Sequence, residues 1–316
     1  THRNGHRLPA VSTGPKNRQP LMNSPVFVRS IVSAIKDYGT RKDRLWITLW
    51  LGGVLILWIW NLAFLNSPAL HQVETGFLHT VCIAAMVIVL AAGMGWGLTL
   101  LDDFFGRRAP GLQYLLTFII NLFRSVPQIV GTLIGYVLLT ILIQRGAIRS
   151  EPVILICMAF IIAVFLFLEI FDLLRERISH FRRLDFYDAM LVCGISEQYI
   201  INREIILRSS PMHIINKLIG IFGGAIFLLC SVDFIVSVGL STEISPVDLP
   251  VTLGSLLAKI DSKQDILAIG HTLTHWQYFP KLAFEHLQGI TVAGLIVFTL
   301  LCIYQIADGY GRRYRL

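Results

Sequence analysis

The sequence predicts an all-α, polytopic membrane protein with six transmembrane helices. Three observations predict it. Hydrophobic residues make up 54% of the 316 residues and charged residues 15%, with a mean hydropathy of +0.66. An ordinary soluble domain carries about 25% charged residues, so this chain lacks the polar surface to keep such a mass in water. Apolar runs of bilayer-spanning length recur, and Lys and Arg gather in alternate connections between them. The same composition excludes disorder, a collagen-like chain and a disulfide scaffold. A net charge of +7 raises nucleic acid as a partner, but the basic residues form no groove-binding patch, so none is expected. Cys82, Cys157, Cys230 and Cys302 stand in apolar runs and Cys193 in a basic loop. None is spaced as a redox or zinc pair, so no metal is expected.

A hydrocarbon core of about 30 Å needs roughly 20 apolar residues per helix. Six stretches qualify: Trp46–Leu65, Phe77–Leu101, Leu112–Ile143 (broken by Pro127), Val153–Leu174, Ile214–Val238 and Gln288–Ala307. Residues 1–45 carry Pro9, Pro15, Pro20 and Pro25 and read as a cytoplasmic tail, partly flexible, ending in a short amphipathic helix over 26–38. Its charged region is too long for a signal peptide, so the first span, 46–65, reads as retained. Residues 75–316 form the core, with five further spans and a basic loop at 175–213.

Orientation follows from Lys and Arg. The tail to Arg44 holds nine, 102–111 two, 175–213 six and the C-terminal tail three, twenty in all on one side. The other side holds five: none in 66–76, two in 144–152 and three in 239–287. Both termini are thereby expected in the cytoplasm, as an even number of spans requires.

Between spans four and five lies Phe186-Tyr-Asp-Ala-Met-Leu-Val-Cys-Gly-Ile-Ser-Glu-Gln-Tyr-Ile-Ile-Asn-Arg-Glu-Ile-Ile-Leu207. Asp185–Leu191 suits a short helix whose acidic start complements the helix dipole. Gly194 suits a left-handed end, and Ser196 with Glu197 suits the start of a second helix. Phe186, Tyr187, Met190 and Leu191 are expected to project for a partner.

This segment resembles the cytoplasmic coupling loop of ABC importer permeases, whose pattern is Glu-Ala-Ala, three residues, Gly, then nine residues to Ile-x-Leu-Pro. Asp188, Ala189 and Met190 take the first three places, Gly194 the glycine and Ile206 the leucine. Glu204 stands in the isoleucine place and Leu207 in the proline place, with Pro211 four residues later. Over about 75–316 the chain also looks like the peptide/nickel (dipeptide/oligopeptide) branch, through Asp233-Phe-Ile-Val-Ser-Val-Gly-Leu240, Leu253-Gly254, His275-Trp276-Gln-Tyr-Phe-Pro280 and Asp308-Gly309 with Arg312. Arg124-Ser-Val-Pro127 is closer to the methionine or phosphonate branches.

The resemblance implies a type I importer permease fold in a bacterial plasma (inner) membrane. It implies ATPase contacts through Phe186, Tyr187, Asp188, Ala189, Met190, Gly194, Glu197 and Arg203. The implied partners are ABC ATPase subunits, a second permease subunit (identical or different) and an extracytoplasmic solute-binding protein serving loop 239–287, in membrane lipid. The solute is expected to be small and peptide-like.

Among intramembrane residues, Arg124 and Pro127 mark a translocation path on one reading, because a charge and a broken helix at depth ask for a wet or paired setting. On the other, Arg124 makes a structural ion pair with Glu169 or Asp233. Asp233 itself reads as interfacial and hydrated. Gly220, Gly223 and Gly224 permit close helix approach. His271 and His275 stand four apart, with Asp265 and His286 in range, but a solvated helix face anchored by Trp276 is the stronger reading. No Gly-x-x-x-x-Gly-Lys-Ser/Thr loop occurs, and no catalytic pair is spaced as a motif. The chain is expected not to be an enzyme and to need no cofactor. An alternative function is a non-transporting membrane scaffold or assembly component on a permease-like fold.

Overall fold

A computed structural model describes residues 42–239, 249–259, 274–278 and 287–314. The expected helix over 26–38, and Asp265, His271 and His286, lie outside the described residues. We number the helices α1 (Lys42–Phe64), α2 (Ser67–Arg108), α3 (Pro110–Ser125), α4 (Gln128–Gln144), α5 (Glu151–Phe181), α6 (Asp185–Val192), α7 (Glu197–Tyr199), α8 (Pro211–Gly239), α9 (Leu253–Lys259) and α10 (Leu287–Tyr314). A π-helical stretch, Ile200–Ser209, joins α7 to α8. No strand occurs among the described residues. Five helices are long and apolar enough to cross a membrane, or six if α3 and α4 together make one span. The described residues are all-helical apart from their connections, and the chain is of the multi-pass membrane type.

Proline explains several boundaries. Pro68, Pro110 and Pro152 sit in the first turns of α2, α3 and α5, where a missing N–H costs no hydrogen bond. Pro127 does more. Val126 ahead of it is extended, at φ −87° and ψ 124°, as the ring of a following proline demands. The chain turns by 94° between α3 and α4. The expected third span is therefore a right-angled corner of two helices.

The centre is α2 against α5, with α8 and α4 closing around them. Ile83, Ala84, Val87 and Ala91 of α2 meet a fully buried row on α5 from Met158 to Leu174. A methyl group at Gly95 would lie 2.7 Å from Ile170 Cβ and 3.0 Å from the Phe167 carbonyl. The two backbones approach that closely only because the glycine has no side chain. Of the three glycines expected to allow close approach on α8, Gly223 faces Ile303 of α10 and Gly224 faces Leu166 of α5, whereas Gly220 meets open space.

The first helix stands apart and is held chiefly by the last. Trp50 donates to Thr299 (3.2 Å), Thr291 to Asn61 (3.1 Å) and Arg313 to Asp43 (3.0 Å). Most of the apolar surface of α1 faces outward, as suits a helix whose solvent is lipid. At the opposite face of the bundle from the α5–α6 connection, α9 packs on α8. Gly254 touches it so closely that a Cβ there would sit 2.6 Å from the Cys230 carbonyl oxygen.

Gly95→Ala is expected to destabilise the chain by about 1–3 kcal/mol through overpacking. The check is the thermal unfolding midpoint of the purified protein. Gly220→Ala, facing open space, is expected to leave that midpoint unchanged or slightly raised.

Candidate functional site

The elbow spanning α6, α7 and the π-helical stretch is built on a turn that only certain residues can make. Gly194 has φ +80°, in the left-handed region, with nothing within 4 Å of the position a Cβ would take. Its N–H bonds to Leu191 O, and the Ile195 N–H reaches back to Met190 O, so the last carbonyls of α6 are satisfied as in a glycine-terminated helix. Ser196 stands at the head of α7 but makes no side-chain cap.

Beyond α7 the helix widens. Ile200, Ile201, Ile205 and Ile206 are all buried. Their spacing of five does not repeat on the 3.6-residue turn but does on the wider π turn. The π form lets both isoleucine pairs face the bundle. The departing family positions lie in or beside it: Glu204 pairs with Arg208 at 3.2 Å, and Leu207 is exposed.

One cation ties the elbow down. Arg182, just after α5, donates to Asp103 of α2 and to Glu197 of α7, the latter at 2.9 Å. Glu197 also accepts the Tyr187 hydroxyl, so α6 and α7 share one carboxylate. Trp96 of α2 donates to Asn202 at 2.8 Å, and Arg177 to Ser210 at 3.3 Å. Burial works to lower the Arg182 pKa. The hydrogen bonds to Tyr187 and Asp103, and the charges of both, outweigh it and hold the guanidinium above its ordinary value. Burial first, then the bond to Glu197, push the Tyr187 phenol upward against the pull of Arg182.

These contacts correct part of the expected projecting face. Tyr187 is buried and Met190 packs on the core, because positions three apart on α6 share its inner side. Outward lie Phe186 (38% exposed), Leu191 (39%) and Val192 (88%), with Asp188, Ala189, Gly194 and Arg203. Arg203 lies over the Tyr199 ring at 5.5 Å. Val192 is the residue sequence reasoning passed over. Its signal was its place after Leu191 at the end of a helix whose inner positions were already filled. Two charged clefts flank the elbow. One of about 510 Å³ is lined by Asp102, Asp103, Arg175, Arg182 and Arg183. The other, of about 440 Å³, is lined by Phe104, Arg108, Gln198 and Asn202 among others.

A second polar group lies at the α3–α4 corner. Arg124 pairs with Asp172 of α5 and lies 3.4 Å from Asn121 Oδ1. The expected partners were Glu169 or Asp233. Glu169 instead binds Lys217 of α8 at 2.8 Å, and Asp233 is buried against Thr252, which also overturns the hydrated, interfacial reading of Asp233. Asn121, Arg124, Ser125, Pro127 and Gln128 are all exposed. Polar groups facing lipid hydrocarbon are costly, so an exposed polar cluster on a pair of apolar helices calls for cover by protein or water.

Fold and site together define a multi-pass helical membrane protein whose α5–α8 connection is tied to the bundle by a charged cluster. Searched against known proteins, the chain matches no family model and no curated protein. Among solved structures it is similar to one described as an amino acid ABC transporter with histidines, at 14% identity and a TM-score of 0.47. The likeness covers 77% of this chain and 94% of that one, and is too slight to assign fold or function.

Alkaline titration tests the elbow's anchor. A phenol whose folded pKa is raised contributes stability that is fully present below about pH 10 and is lost as pH rises through the folded value. Tyr187→Phe is expected to remove one late-ionising tyrosine from the ultraviolet titration and to cost about 1 kcal/mol. An unchanged late fraction would mean that Tyr187 is not held as described.

Proposed function

We propose that this chain is the transmembrane subunit of an ATP-binding cassette importer. The observation that carries the reading is the elbow: Phe186, Leu191 and Val192 face outward while Arg182, Tyr187 and Glu197 bind its inner side to α2 and α5. A handle must be both gripped and stiff, and this segment has an apolar surface to grip and a charged anchor behind it. Its spacing also matches the importer-permease pattern at Asp188, Ala189 and Gly194.

On this reading the elbow faces the cytoplasm of a bacterial inner membrane, as do both termini. Two ATPase subunits bind it, and their nucleotide-dependent closure shifts the spans between inward-open and outward-open states. Such a shift requires contacts with the elbow that differ between ATP states, since a ligand moves an equilibrium only by its differential affinity. Arg124, Asn121 and Gln128 at the Pro127 corner face a sister permease and contribute to the shared path. A solute-binding protein delivers a small, peptide-like solute to the opposite face. ATP hydrolysis belongs to the partner subunits.

A membrane scaffold that docks an ATPase without transporting is the second reading, and the neutralisation of Arg124 by Asp172 within one chain favours it. Arg124→Ala separates the two in reconstituted, correctly assembled complexes: uptake falling at least tenfold, about 1.4 kcal/mol, supports the path. Undiminished uptake removes Arg124 from it, and complexes that hydrolyse ATP without uptake favour the scaffold.

Affinity purification of the tagged full chain from its own membranes tests docking. Wild type is expected to bring down an ATP-binding subunit and a second multi-span chain. Val192→Asp, on a side chain already 88% exposed, and Gly194→Asp should both insert normally and lose the ATPase. Retention of the ATPase by both variants would overturn the docking assignment.

A further inference from the structure

The larger of the two clefts beside the elbow, of about 510 Å³, opens between the ends of α2 and α5 and the first turns of α3. Thr99, Asp102, Gln113, Arg175, Ser179 and Arg183 are among the residues that line it. The apolar runs of α2 and α5 end at Leu101 and Leu174. The cleft therefore lies where both helices leave the hydrocarbon, at the level of lipid headgroups. Asp103 and Arg182 also border it, but they are spent on one another, and Arg182 on Glu197 as well.

Arg175 and Arg183 are not spent. Arg175 Nε is 3.7 Å from Asp102 Oδ2, an ion pair without a hydrogen bond, and its side chain is half exposed. The Arg183 side chain is exposed and takes part in no hydrogen bond or ion pair among the described residues. Arg175, Ser179 and Arg183 stand four apart, so they climb one side of α5 and its closing turn. The opposing carboxylate, Asp102, is 8% exposed, whereas both guanidiniums reach the surface. Two open guanidiniums against one recessed carboxylate favour an anion, and their planar forks match phosphate oxygens. They are spread about 12 Å along the helix axis, in a space far larger than a bare phosphate ion needs. Leu112 and Leu115 of α3, on either side of Gln113, are exposed and offer an apolar flank for acyl chains.

We propose that this cleft binds the phosphodiester headgroup of an anionic phospholipid, with Arg175 and Arg183 as its cationic donors and Ser179 and Gln113 as polar neighbours. Basic pockets between helices at a membrane surface hold anionic headgroups by this chemistry. The bound lipid joins the ends of α2, α3 and α5 beside the Arg182 anchor. The site does not depend on the importer reading.

The test uses the full chain in nanodiscs and reads the thermal unfolding midpoint, which a ligand bound only by the folded state raises with its concentration. One arm replaces phosphatidylcholine stepwise by phosphatidylglycerol at constant ionic strength. The other keeps phosphatidylcholine and adds glycerophosphoglycerol, the same headgroup without acyl chains. The wild-type midpoint is expected to rise and level off with phosphatidylglycerol and to stay unmoved by the soluble headgroup. Arg175→Gln with Arg183→Gln should abolish the rise. Arg208→Gln with Arg312→Gln, which removes two exposed charges elsewhere, should keep it. No rise, or an equal loss in both double variants, overturns the site. An equal rise with the soluble headgroup assigns the cleft to a free phosphate ester and overturns the lipid. Should the first double variant fail to fold, Arg183→Gln alone decides. It is expected to raise the half-saturating phosphatidylglycerol fraction about tenfold, and an unmoved half-point overturns the site.

Discussion

The geometry of the elbow depends on the guanidinium of Arg182. It stands one residue beyond the last turn of α5, where the chain leaves the bundle, and there it meets a carboxylate from α2 and another from α7. Without that cation, Asp103 and Glu197 would repel one another across the same space. With it, α6 and α7 are held as a unit, and Tyr187 joins through the shared Glu197. Charge-assisted hydrogen bonds of this kind are among the strongest available to side chains. They leave Phe186, Leu191 and Val192 on a surface that does not need to fold back on itself.

Charge pairing recurs between the helices. Three ion pairs join helices far apart in the chain: Arg124 with Asp172, Lys217 with Glu169, Arg313 with Asp43. In a medium that offers no water, such pairs set the rotation of one helix against another more sharply than apolar contact can, because a mis-rotated helix would strand a charge. Asp233 departs from the pattern, with one oxygen bound to Thr252 and the other bare. This departure lies where a short helix seats on the bundle, opposite the elbow.

Much of the helical plan was legible in the residues. Apolar runs of spanning length reveal themselves without any tertiary information, since a helix in lipid must satisfy its own backbone. The break at Pro127 was legible for a similarly local reason, as was the left-handed residue at Gly194. The size of the bend was not. Proline states that a hydrogen bond is missing but not which way the chain then goes; here it turns by 94°, and Phe123 of α3 packs edge-on against Phe165 and Phe167 of α5. The π-helical stretch left a faint trace, the paired isoleucines five apart, which a search for 3.6-residue periodicity passes over.

By itself, then, the chain's order of residues determined where helices run, where they break and which loop bears the motif. These are local consequences of hydropathy, proline and glycine. Only the tertiary structure decided that Asp172 rather than Glu169 meets Arg124, that Tyr187 turns inward, and that Asp233 is sealed beneath α9. The physical reason is that a membrane helix is apolar on nearly all sides. Its sequence therefore marks no single inward stripe, and the pairing of polar groups is left to the relative depth and rotation of helices far apart in the chain.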